Sequence, residues 1–289
     1  MSILQICIVI AYLVFSPFVG MFLDGIDRKI SARMQSRKGP SLLQPFYDLR
    51  KLFSKELLAV NNVQLLLNLC YMIFIAVSGA MLFGGTDILM CLFILSTAEI
   101  FLVLGASSDS SPYSNMGASR EMIQMMAFEP LTLLIAVGFY LCTDSFRVAD
   151  IIKSPVSAIV FMPGMFVALV IITTVKLRKS PFDISTSHHA HQEMVKGITT
   201  EMSGSMLGIV NIAEYYEIIL LFGIFALFFI NSVWWSWLIA IAVCCAVFFV
   251  ETLIDNVCAR LKWKITLYSC WLITLIAAGL NLFILMIIM

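Results

Sequence analysis

The sequence predicts an all-α integral membrane bundle of about eight transmembrane helices, with an amphipathic interfacial helix in its first long polar loop. Two observations carry this reading. The 289 residues are 61% hydrophobic and only 12% charged, about half the charged fraction of a soluble domain. The apolar residues also fall into runs near the roughly 20 residues that cross a bilayer, and the polar loops between them are alternately short and long.

The first run, near 3–23, lacks a basic leader and a small-residue cleavage site, so it reads as a spanning helix rather than a removable signal. In the loop that follows, Leu42, Phe46, Leu49, Phe53 and Leu57 recur at helical spacing, while Gln44, Asp48, Arg50, Lys51 and Lys55 take the other faces. That pattern predicts a basic amphipathic helix in the interface, with Pro45 in its first turn. Further spans are expected near 63–83, 88–105, 122–142, 157–177, 208–230, 234–254 and 266–288. Gly84-Gly85 and Asn231-Ser232 form tight turns on one side. With no internal repeat in view, residues 1–289 read as one membrane domain.

Charge orients the bundle. The loops after the first, third, fifth and seventh helices, with the adjoining helix ends, hold 16 of the 18 Lys and Arg; the other side holds Arg147 and Lys153. Positive loops stay in the cytoplasm, so both termini are expected outside a prokaryotic cytoplasmic membrane. Trp234, Trp235 and Trp237 fit an outer aromatic belt and Trp263 an inner one. A formal net charge of zero gives no sign of nucleic-acid binding.

The eight cysteines lie mostly inside apolar runs, and none has C-x-x-C spacing. Iron–sulfur and zinc sites need clustered thiolates, so these read as packing residues and no cofactor is expected in the chain. His188, His189 and His191 share one polar loop, where proton collection or partner contact suits them better than a metal.

The chemistry is expected in the acids. Carboxylates within a membrane are costly and mark function. Glu99, Glu129, Glu214, Glu217 and Glu251 all fall in the cytoplasmic half. That asymmetry suits lateral transfer to a neighbour, or a half-channel, better than a straight wire. Glu214 and Glu217, three apart, share a helix face. Pro130 leaves the carbonyl of Met126 without its helical donor, which suggests a water site beside Glu129. Pairing of these acids with Lys, Arg or hydroxyls, with no role beyond packing, is the competing reading for each.

Several motifs carry a resemblance. Asp27-Arg28-Lys29, Gln35-Ser36-Arg37-Lys38-Gly39-Pro40 and the run from Asp48 to Glu56 resemble the first cytoplasmic loop of the eight-helix membrane subunit of respiratory complex I. That family includes membrane subunits of energy-converting [NiFe] hydrogenases and formate hydrogenlyase. Gly117-Ala118-Ser119-Arg120 through Glu129, Ser180-Pro181-Phe182-Asp183-Ile184, Glu193-Met194-Val195-Lys196-Gly197, Thr200 to Gly204 and Ala213-Glu214-Tyr215 resemble further family segments in order and spacing. Two departures single out a branch. In the segment where quinone-reducing members carry A-E-T-N-R before P-F-D, this chain has Lys176-Leu177-Arg178-Lys179-Ser180, with Lys176 in place of the acid. After P-F-D an acidic stretch gives way to Ser185 through Gln192, rich in Ser and His, which resembles the Ech-type hydrogenase branch.

The resemblance implies a non-catalytic membrane subunit of a ferredoxin-dependent hydrogenase complex. Its partners would be a [NiFe] large subunit, an iron–sulfur small subunit and an antiporter-like membrane subunit moving H⁺ or Na⁺, with ferredoxin acting indirectly. The [NiFe] centre and iron–sulfur clusters would sit in the partners. Coupling acids would correspond to Glu129, Asp183, Glu193, Glu201 and Glu214, and docking residues to Arg28, Arg33, Arg37, Lys38, Asp48 and Lys51. Glu99, Glu217 and Glu251 match no family motif and stand on burial alone. A quinone-site or formate-hydrogenlyase homologue, an independent secondary transporter and a passive anchor are the alternatives; neither an inverted repeat nor acids at all depths support the transporter.

Overall fold

The computed structural model describes residues 3–56, 61–182, 185, 196–259 and 261–288. Their regular structure is helical, as the apolar runs require: in a bilayer a segment must satisfy its own backbone.

Helix α1 (Ile3–Met34) extends well past the expected end near 23. At about 48 Å it overshoots the roughly 30 Å hydrocarbon core, and its last third carries Asp24, Asp27, Arg28, Lys29 and Arg33. The expected amphipathic helix is present as α2 (Gln44–Phe53), with Pro45 in its first turn. Phe46 and Tyr47 stay exposed, and Arg28 Nη1 donates to Asp48 Oδ2 at 2.8 Å, tying α2 to α1. Leu57, expected to extend its apolar face, lies outside the described residues.

Helices α3 (Asn62–Phe83) and α4 (Ile88–Ser107) form a hairpin. Asn61 and Asp87 cap them, accepting from the amides of Val63 and Leu89, each at 3.1 Å. Helix α5 (Pro112–Thr143) starts earlier than the expected 122 and again exceeds the core thickness. Short α6 (Val148–Lys153) returns to the α3–α4 turn, where Ile88 N–H donates to the Phe146 carbonyl at 2.9 Å.

The fifth expected span, 157–177, is divided. A 3₁₀ turn at Ala158–Val160 precedes α7 (Pro163–Lys176). Pro163 has no amide to continue an earlier helix, so α7 begins there. Its 14 residues reach only about 21 Å, and it stops at Lys176 inside the bundle. Irregular backbone at such depth survives only where protein covers it. Here the carbonyls of Thr173, Thr174 and Val175 accept from Leu177, Lys179 and Arg178. A second 3₁₀ turn, Gly197–Thr199, lies against α5 at Gly117, where any Cβ would collide with the backbone of Gly197 and Ile198. The glycine of the 117–120 motif therefore has a steric reason to be there.

Helices α8 (Gly204–Leu227) and α9 (Trp235–Val257) follow. The last span is α10 (Trp263–Ile273), a π turn (Thr274–Gly279) and α11 (Leu280–Ile288). Among the described residues, seven helical stretches are long and apolar enough to cross a membrane, with α7 as a shorter apolar eighth. The core lies among α3, α4, α5, α7 and α8, around Tyr71, Leu95, Leu131, Phe139 and Phe228; α1, α9 and the last span are more peripheral.

Candidate functional site: three cations where a helix ends

The interrupted end of α7 organises the buried charge. The chain runs Lys176-Leu177-Arg178-Lys179, and Arg178 takes a left-handed backbone, φ 52°, that turns the segment. Lys176 and Arg178 then each reach acids on two elements, and Lys179 reaches one on a third.

Lys176, 6% exposed at its side chain, is wedged between Glu99 of α4 and Glu217 of α8; its Nζ contacts Glu99 Oε1 and lies 3.0 Å from Glu217 Oε1. Tyr71 of α3 donates its hydroxyl to Glu217 Oε2 at 3.3 Å, and the Phe128 ring centroid is 5.1 Å from Nζ. Arg178 Nε and Nη2 donate to Glu121 Oε1 of α5 at 3.0 and 2.7 Å, and Nη1 to Glu214 Oε1 of α8 at 2.6 Å. Burial works against the Arg178 charge, and the carboxylates of Glu121 and Glu214 outweigh it, so the guanidinium stays protonated. Lys179 Nζ pairs with Asp27 Oδ2 of α1 at 2.9 Å.

Glu214 and Glu217 share one face of α8, as their spacing requires. Glu217 lies about 20 Å along α8 from Gly204, deep in the bundle, while the Glu214 side chain is 37% exposed. A cavity of about 260 Å³, lined by Lys176, Arg178, Lys196, Asn211, Glu214 and Glu217, joins the two depths. The arrangement links proton donors and acceptors from an accessible acid to a buried one. Among the described residues no group of three or more His, Cys, Asp or Glu could hold a metal ion, and all eight cysteines are free.

The remaining residues expected from the sequence divide. Glu99, Glu214 and Glu217 enter the network. Glu129 stands apart: it is partly buried, and no side-chain partner is described for it. The water site expected beside it is corrected. Trp271 of α10 donates its indole N–H to the Met126 carbonyl at 3.1 Å, filling the vacancy that Pro130 creates. Glu201 is exposed and does not line the cavity. Asp183, Glu193, His188, His189 and His191 lie outside the described residues.

Of the expected docking residues, Arg28 and Asp48 are engaged with each other, Arg28 also with Asp24 at 2.9 Å. Arg33, Arg37, Lys38 and Lys51 are exposed, with no partner among the described residues. The sequence presents Lys176 only as a lost acid and gives no sign of Glu121 or Tyr71. Glu121 sits at the polar start of the expected span at 122, where an acid looks solvated; only the early start of α5 carries it inside.

Fold and site together define a multi-pass helical membrane protein with a buried ion-pair network around an interrupted helix. The chain belongs to the NADH dehydrogenase family, whose model matches residues 6–286, as the motif resemblance implied. It is 30% identical over 258 residues to a subunit of the NADH-quinone oxidoreductase of Geobacter metallireducens, covering 79% of this chain and 74% of that one. It is 28% identical over 204 residues to Hydrogenase-4 component C of Escherichia coli K12, covering 64% of this chain and 62% of that protein. In fold it is similar to a chain of the membrane-bound sulfane sulfur reductase, an archaeal respiratory membrane complex. The TM-score there is 0.86 at 19% identity, with 98% and 100% of the two chains covered.

Proposed function

We propose that this chain is the membrane subunit of a ferredoxin-dependent energy-converting hydrogenase. It would dock a cytoplasmic [NiFe]/iron–sulfur module and pass redox energy through buried charge to H⁺ or Na⁺ movement in an antiporter-like partner. The observation that carries the reading is the Lys176 wedge between Glu99 and Glu217. A cation stands where quinone-reducing relatives keep an acid, and it meets two acids that match no family motif. Hydrogenase-4 component C among the relatives supports the hydrogenase side.

The geometry supports the following mechanism. Glu214, at the accessible end of the cavity, exchanges protons with the charged end of the bundle. Asn211 and the Lys176 ammonium line the way to Glu217. A change of charge at the docked module alters the field on Arg178, whose hold on Glu121 and Glu214 sets how far Glu214 is free to take a proton. Lys176 then favours one of its two acids over the other, moving charge between α8 and α4 toward a neighbour. Glu129, Glu201, Asp183 and Glu193 are assigned to the same relay by family resemblance alone. The charged end is assigned to the cytoplasm.

The test is H₂ evolution from reduced ferredoxin by the purified complex in proteoliposomes, with ion uptake followed in parallel, for wild type and Glu217→Gln. Subunit content is checked first. Glu217→Gln is expected to assemble and to lose ion uptake per H₂ by tenfold or more. An unchanged ratio rules out the relay. Co-purification with quinone-reducing or formate-oxidising subunits instead of a ferredoxin-linked module overturns the hydrogenase assignment.

A further inference from the structure

A second polar region lies outside the Lys176 cluster, between α1 and α9. Thr252 Oγ1 donates to Asp27 Oδ1 at 2.6 Å. Asn256 Nδ2 donates to Ser31 Oγ at 2.9 Å, and Gln35 Nε2 to Asn256 Oδ1 at 3.2 Å. The residues step along facing sides of the two helices at turn spacing, so they form a seam running in from the charged end. Lys179 closes its inner side through Asp27 and lies 5.6 Å from the centroid of the Phe248 ring. Ser180 N–H donates to Asp255 Oδ1 at 2.8 Å.

At the inner end stands Glu251. It is fully buried, and neither carboxylate oxygen has a hydrogen-bond partner among the described residues. The charged groups facing it are Lys179 from the segment after α7, Asp27 from α1 and Asp255 one turn along its own helix. A carboxylate with no donor on either oxygen is among the costliest groups to bury, and here two neighbouring acids add repulsion against a single ammonium that Asp27 already engages. A neutral carboxylic acid has neither problem.

We infer that Glu251 is a proton-binding site, holding its proton as a buried neutral acid and exchanging it with the charged end through Asp255 and the Asp27–Lys179 pair. The step is a proton transfer between carboxyls. Through an intervening water, the O–H bond of Glu251 breaks as one forms on Asp255, leaving a Glu251 carboxylate beside the Lys179 ammonium. Asp255, partly exposed, then releases its proton to bulk water, and the reverse path reloads Glu251. Thr252 keeps Asp27 oriented by occupying one of its oxygens. The site meets the charge network at the end of α7 only through the Lys179–Asp27 pair and gives this subunit a second proton store on its α9 side. It does not depend on which electron donor or acceptor the complex uses.

Infrared difference spectroscopy of the intact purified complex, in H₂O and D₂O, reads the site directly. Wild type is expected to show at neutral pH the carbonyl stretch of a protonated, weakly hydrogen-bonded carboxylic acid, shifted on deuteration. Glu251→Gln should remove that band and Glu251→Asp should move it, while Glu217→Gln should leave it in place. Asp255→Asn should slow the deuterium shift several-fold with the band intensity unchanged. A wild-type spectrum without the band, a band that survives Glu251→Gln, or exchange at the wild-type rate in Asp255→Asn each overturns the proposal. A band that responds to Na⁺ at fixed pH also does so, because the seam would then bind a cation. The Glu217→Gln arm separates this result from failure of the relay, which is read by ion uptake.

Discussion

The two ends of the bundle are built on different principles. The end with the α3–α4 and α8–α9 turns is joined by hydrogen bonds and helix caps, with no ion pair among the described residues: Asp87 on α4, the Ile88–Phe146 bond, and Ser157 and Asn231 stitching the start of α7 to the end of α8. The other end buries Lys176, Arg178 and Lys179 against six acids and a broken helix. Burying ion pairs is an expensive way to hold helices together, since a pair of charges often does no better than apolar residues of the same shape. That first end demonstrates that this chain can close a helix junction without burying an ion pair. The proposed relay would account for a cost at the charged end that packing alone does not, and stability is a constraint that end must meet.

The largest effect should follow from removing one partner inside the charged half. Lys176→Met keeps length and packing but leaves Glu99 and Glu217 buried without a cation. Breaking such a pair costs about 3–5 kcal/mol, so thermal unfolding in detergent should move down sharply. Adding Glu217→Gln to Lys176→Met should recover much of that loss, leaving one acid instead of two, while ion coupling stays absent. If the double variant couples at the wild-type ratio, the Lys176 wedge serves packing and the contrast between the two ends collapses.

How much of this is legible in the sequence depends on where charge and helix ends fall. The hydrophobic runs, the hairpin turns and the helix Gln44–Phe53 can be read because length and periodicity decide them. The interruption at 157–177 cannot, because its residues are apolar enough to pass as one span; Pro163 is the only local sign. Glu214 and Glu217 can be placed on one face by spacing, but their separate cations arise from a left-handed turn at Arg178 that no periodicity encodes. Likewise Pro130 announces a free carbonyl at Met126, while the donor that fills it comes from Trp271, 145 positions away. Local grammar reveals needs; long-range packing decides how they are met.

A middle-sized effect belongs to the end without ion pairs. Asp87→Ala removes the side chain that accepts from the Leu89 amide, a loss of about 1 kcal/mol for an N-cap. The unfolding midpoint should fall slightly, with H₂ evolution and ion uptake per H₂ unchanged. This is the mirror of the Lys176→Met, Glu217→Gln double variant: stability lowered with coupling intact. A change in the coupling ratio would mean that the two ends do not divide their work in this way.

The smallest effect on the chain itself should come from its surface cations, and it sharpens the comparison by separating buried charge from exposed charge at the same end. Arg37 and Lys38 stand free in solvent beside the α1–α2 connection, where charge contributes little to folding. Arg37→Ala with Lys38→Ala should leave the unfolding midpoint unmoved. These cations are available to a partner, unlike Arg28, which is already engaged by Asp24 and Asp48. An exposed cationic arc steers association and is screened by salt. The double variant should therefore shed the soluble subunits from washed membranes, and the loss should grow as salt is raised, while the membrane subunit remains fully folded. Retention of the soluble subunits at every salt concentration would move the docking surface away from this loop, leaving Lys51 and the face of α2 as the place to look next.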